Sequence, residues 1–165
     1  MNISGEFIEA DVLQQLPFPD NMFDCVWSSG LLEHFSDDEI QCILSESARV
    51  SKNCVISLVP NAASIPYRLG KWHQESAGQW MYGYEDPKYT LAQFYERAGL
   101  HIIREYSIGW RHALNFITFE HGDIVRRIIE SWYNTLDNME LEKLNQGYLL
   151  VTIGNHRPDL AGISE

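Results

Sequence analysis

A chain of 165 residues with 45% hydrophobic and 12% aromatic content is long enough for one packed domain and too apolar for a disordered segment. Its 12 basic against 23 acidic side chains give a formal charge of −11, which repels phosphate backbones and anionic lipid surfaces and argues against free nucleic acid or a membrane as partner. Three cysteines without paired spacing, no signal peptide and no apolar run of membrane-spanning length lead us to expect a cytoplasmic protein.

In chain order, Glu6 to Asp11 reads as a short strand ending on an acid, followed by the proline-punctuated turn Leu16 to Asn21, LPFPDN. Phe23 to Ser28 is the central stretch. Phe23, Cys25, Val26 and Trp27 with one interruption at Asp24 suit a strand covered on both faces, and the strand breaks at Ser29-Gly30 before Leu31, Leu32, Glu33 and His34. Asp37-Asp38-Glu39 place acids at the positive end of a helix whose apolar stripe is Ile40, Ile43, Leu44 and Ala48, ending near Val50. Cys54 to Val59 is a buried strand stopped by Pro60-Asn61, so all three cysteines, Cys25, Cys42 and Cys54, fall on elements expected in the core.

From Ala62 to Tyr89, aromatic residues alternate with Gly70, Gly78 and Gly83 without a clear period, which suggests a lid-like insertion over 62–89. Thr90 can cap a helix from Leu91 to Ala98 with Gly99 as terminator, and Leu100 to Tyr106 reads as a strand. Gly109 to Phe119 is apolar and fits strand or loop. Asp123 can cap a helix through Tyr133 and a second helix covers Met139 to Asn145, together a helical insertion over 120–147. Tyr148 to Ile153 is the last strand. The domain is thus expected over 1–156, with a polar tail over 157–165. Strands alternating with helices in this way make an α/β chain, the second half of a doubly wound, Rossmann-like sheet.

The run Asp11, LPFPDN, Phe23-Asp24-Cys25-Val26-Trp27-Ser28 and Leu32-Glu33-His34 closely resembles the third and fourth strands of the small-molecule, S-adenosylmethionine-dependent class I methyltransferases of the type 11 group. The resemblance extends more diffusely through Gly109. It implies a methyltransferase with S-adenosylmethionine as cofactor and a small-molecule methyl acceptor. It also implies that Asp11 and Val12 meet the adenine, that Ser28, Ser29 and Gly30 lie against the methionine portion, and that His34 stands at the methyl end as a candidate general base. Glu33, His73 and Tyr82 are the candidates for substrate contact. A nucleophilic serine is not expected, since no GxSxG elbow surrounds Ser28 or Ser29. No metal is expected, because the histidines and cysteines show no HExxH, CxxC or His-x-x-x-His spacing.

The family begins with a strand, a GxGxG turn and a second strand ending in a ribose-binding acid, and no two glycines here stand two apart. The chain therefore reads as truncated at its N-terminus. On its own it is expected to bind the cofactor poorly. The missing strands would leave Phe23 to Ser28 as an apolar edge, to be closed by self-association, by re-pairing of Glu6 to Asp11, or by a partner segment. A different class of function fits the same features: a catalytically inactive methyltransferase-like module used for interaction or assembly.

Overall fold

The structure, a computed structural model, describes residues 5–156. Four strands form one sheet in the order β1-β2-β4-β3: β1 Phe23–Ser29, β2 Ser51–Pro60, β3 His101–Ile108 and β4 Leu149–Asn155. β1 and β2 are parallel, whereas β4 runs antiparallel to both β2 and β3. The carboxyl ends of β1, β2 and β3 therefore share one edge of the sheet with the start of β4. The expected tail over 157–165 lies outside the described residues.

Helix α1, Asp37–Val50, joins β1 to β2. Ser36 and Glu39 form a reciprocal capping box in front of it, and Ile40, Ile43, Leu44 and Ala48 are its buried stripe. These side chains pack with Val55 and Val59 of β2, Leu150 of β4, and Leu91, Phe94 and Tyr95 at the following short helix, α3, Ala92–Arg97. This single apolar cluster lies on one face of the sheet. On the other face Ile56 and Leu58 are only half-buried.

Helices α2, Ile65–Ser76, α4, Trp110–Ala113, α5, Gly122–Tyr133, and α6, Asn138–Leu144, complete the chain. Inside α2, Gly70 packs so closely on the segment after α4 that a Cβ there would stand 2.0 Å from the Phe116 carbonyl oxygen.

Several expectations are corrected. Glu6 to Asp11 forms no strand; it is exposed and has no ladder partner among the described residues, so re-pairing of this segment does not close an edge. β1 is not covered on both faces: Val26 packs on the core cluster, whereas the alternating Cys25 is exposed and Trp27 is 69% exposed. Cys42 is also exposed and Cys54 half-buried, so the cysteines are not core residues. The 62–89 stretch is not a continuous loop, since it holds α2. Caps differ too: α3 starts from Leu91, with Thr90 Oγ1 accepting from the Ala92 amide, and α5 starts from His121 in the left-handed region, while Asp123 pairs with Arg127.

The LPFPDN turn is strapped to α1 by one side chain. Arg49 donates to the Leu16 and Phe18 carbonyls and to the carboxylates of Asp20 and Glu46. Its planar fork satisfies four acceptors that no apolar residue can meet. Arg49→Leu should leave the global fold in place and release this strap, read as faster amide exchange at Asn21, whose amide donates to the Arg49 carbonyl. Unchanged protection of that amide would count against the strap.

Candidate functional site

The turn after β1 sits at the carboxyl edge of the parallel pair, where ligands of open α/β sheets bind. Gly30 adopts φ 66°, a left-handed conformation that β-carbon-bearing residues resist, and its amide donates to the Leu58 carbonyl at 3.0 Å, tying the turn to the end of β2. Leu32, fully buried, anchors the following 3-10 turn Leu32–His34 in the core cluster. With Leu32 pointing inward, Glu33 and His34 are held at the sheet edge.

Glu33 is a buried carboxyl, its side chain 3% exposed. Its Oε1 lies 3.8 Å from His34 Nε2, and Oε2 is buried without a hydrogen-bond partner among the described residues. Burial pushes its pKa above the ordinary carboxylate value; the nearby Glu85 adds to this, while its own backbone amide and His34 act against it. His34 Nδ1 lies 2.6 Å from the Tyr84 carbonyl oxygen. A carbonyl only accepts, so Nδ1 carries the hydrogen and a neutral His34 presents a bare lone pair at Nε2.

The segment that holds His34 also brings a second acid. The Asp86 amide donates to the Glu33 carbonyl at 2.8 Å, which sets Glu85 beside the turn. Glu85 accepts a short hydrogen bond from the Tyr67 hydroxyl and lies 3.7 Å from Lys71 Nζ, with both charged side chains nearly closed to solvent. Lys71 in turn pairs with Glu75 at 2.7 Å and stands 4.1 Å above the Trp80 ring. Tyr67, Phe116 and Tyr148 pack edge to face or tilted, with ring centroids 4.9–5.2 Å apart. Burial, with Glu85 and Glu33 nearby, pushes the Tyr148 hydroxyl up to about 12.

Solved structures with this chain path fix its fold. A SAM-dependent methyltransferase from Thermotoga maritima superimposes with TM-score 0.56 at 14% identity, covering 91% of this chain and 63% of that one. One from Archaeoglobus fulgidus gives 0.56 at 18% identity, with 90% and 66% covered. An O-methyltransferase family protein from Burkholderia thailandensis gives 0.55 at 16% identity, with 93% and 36% covered. Residues 1–53 match the family described as a methyltransferase domain, and no curated protein matches the chain. The fold is that of the S-adenosylmethionine-dependent class I methyltransferases. The chain spans less than two thirds of the length of these three solved methyltransferases.

Within this methyltransferase fold the sequence-predicted residues separate into groups. Ser28, Ser29, Gly30, Glu33 and His34 come together on one turn. Asp11 is exposed and folds its carboxylate back on the Leu13 amide at 2.9 Å, an acid that begins a turn; Val12 packs against the same apolar cluster as Leu31 and Phe35. No hydrogen bond among the described residues joins Asp11 to the Gly30 turn. His73, on α2, packs its ring on Phe119 at 5.5 Å, and Tyr82 is exposed against Trp80. Glu85, Tyr84, Lys71 and Tyr148 were not singled out as site residues from the sequence, because they reach the turn through contacts far apart in the chain.

The raised pKa of Glu33 makes a pH prediction. A carboxyl that holds its proton more tightly folded than unfolded contributes stability that is complete below its unfolded value of 4.5 and is lost as pH rises through the folded one. Glu33→Gln keeps the shape and removes the charge. Its Tm relative to the native chain should therefore climb between about pH 4 and pH 7. A difference that stays flat or falls over that range contradicts the buried-acid description.

Proposed function

We propose that the chain serves in S-adenosylmethionine-dependent methyl transfer to a small molecule, with the turn from Ser28 to His34 as the site. The observation that carries this is the joining of a left-handed Gly30 turn, a histidine with a free ring nitrogen and a buried acid at the carboxyl edge of β1 in this fold. The cofactor suits the residues present: Gly30, at φ 66°, places no side chain between the backbone and a ligand at the turn after β1. When bound, the cofactor supplies an electrophilic methyl group on a sulfonium. Ser28, Ser29 and Gly30 line its methionine side, and Asp11 with Val12 its adenine side. Hydrogen-bonded to Tyr84, His34 keeps Nε2 free to take the proton that an oxygen or nitrogen acceptor loses as it gains the methyl group. Glu33, Tyr82 and His73 are assigned to the acceptor.

Thermal melts with S-adenosylhomocysteine test this reading, since a ligand that binds only the folded chain raises Tm with concentration. Millimolar S-adenosylhomocysteine should raise Tm where equal ATP does not; equal shifts, or none, contradict it. The terminal place of β1 in the sheet favours a second reading, an assembly module that pairs through this edge and carries the exposed Trp27 beside it, possessing no methyl-transfer activity. Sedimentation that shows a concentration-dependent dimer lost on Trp27→Lys, together with no S-adenosylhomocysteine response, would favour that module.

A further inference from the structure

Around Glu33 the buried charges do not balance. Glu33 and Glu85 are both nearly closed to solvent, and the buried Lys71 is shared between Glu85 and Glu75 and makes no ion pair with Glu33 among the described residues. Glu85 has its own partners in the Tyr67 hydroxyl and Lys71. Glu33 has its own backbone amide and the flank of His34, and its Oε2 meets no donor among the described residues. An ionised carboxylate in such a place is costly unless a cation or a donor reaches it, so either it keeps its proton or a ligand completes it.

The surroundings narrow the ligand. Glu85 accepts from the Tyr67 hydroxyl, the Tyr67 ring packs edge to face on Tyr148, and the Tyr148 hydroxyl lies near both Glu85 and Glu33, so aromatic groups and two carboxyls share this part of the site. Trp80 adds a buried ring nitrogen without a partner in the same group. Carboxyls beside aromatic faces complement a positively charged amine and repel an anion. His34 Nε2, 3.8 Å from Glu33 Oε1, would share the same ligand nitrogen.

Resting on the methyl-transfer reading above, we infer that Glu33, with Glu85 and the Tyr67–Tyr148 rings, forms a seat for an organic amine, which makes the methyl acceptor an amine bound through its ammonium group. The seated ammonium would first give one proton to His34 Nε2; the freed nitrogen lone pair would then take the methyl group as the donor's S–CH3 bond breaks, with S-adenosylhomocysteine as the leaving group and the methylated ammonium as product. Glu33 binds and orients.

The test uses three probes with one ring and different charge: phenethylamine, 3-phenylpropanol and 3-phenylpropionate, titrated calorimetrically into the full chain with and without saturating S-adenosylhomocysteine. The amine should bind at least about tenfold tighter than the alcohol, the carboxylate should not bind, and Glu33→Gln should remove the preference for the amine over the alcohol. Equal binding of amine and alcohol by the native chain overturns the inference whether or not the variant folds. So does displacement of the amine by S-adenosylhomocysteine, which would place it in the cofactor's seat. A selective amine site in a chain that gives no S-adenosylhomocysteine response supports the seat and counts against the methyl-donor reading alone.

Discussion

Leu32→Ala should cost about 3 kcal/mol in urea unfolding, within the range for emptying a fully buried leucine site. Leu32 is closed to solvent and packs into the cluster shared by α1, α3, β2 and β4. Its loss removes the apolar transfer energy and leaves a void that a 3-10 turn of three residues cannot collapse around without moving. That turn carries Glu33 and His34, so the same substitution should weaken the S-adenosylhomocysteine response as well as the fold. Leu31→Ala, at a half-buried position beside it, should cost about 1 kcal/mol. Equal costs at the two positions would contradict the anchoring role of Leu32.

Gly70→Ala tests the other wall of the site and separates two opposed effects. Helix propensity alone makes alanine better than glycine by about 1 kcal/mol in a helix interior such as α2. Against this, the new Cβ would fall 2.0 Å from the Phe116 carbonyl oxygen and 2.3 Å from its carbon, both backbone atoms that cannot swing aside. Forced separation of packed backbone costs on the order of 3 kcal/mol, so the clash should win and the variant should lose stability by about 2 kcal/mol net. Because Phe116 packs on Tyr67 and Tyr148, the displacement should also disturb the rings beside Glu85. A stabilised Gly70→Ala would mean that α2 does not pack on Phe116 as described.

Strong local signals were legible from sequence alone. The acids and apolar stripe of α1, the β-branched run of β2, and the strands β3 and β4 lie close to where their patterns put them. What failed depended on neighbours. The Glu6 to Asp11 pattern suits a strand, but a strand needs a ladder partner and none is present among the described residues. The apolar run of β1 says nothing about whether both faces are covered, and Trp27 lies on the open side. α2 was hidden because two of its buried positions, Gly70 and Lys71, are types that do not advertise a core face, although Tyr67, Gly70 and Lys71 keep helical spacing. Within the site, the Gly30 break and Glu33-His34 stood out because they are consecutive. Glu85 and Tyr84 meet them through a backbone contact between Asp86 and Glu33, and no local pattern encodes a pairing at that separation.

Amide chemical shifts of the full chain, recorded while S-adenosylhomocysteine is raised to millimolar concentration, address the site most directly, because they report weak binding residue by residue. The account predicts saturable shifts centred on Ser28, Ser29, Gly30, Glu33 and His34. Saturable shifts confined to other parts of the sheet, with these five amides unmoved, would contradict it.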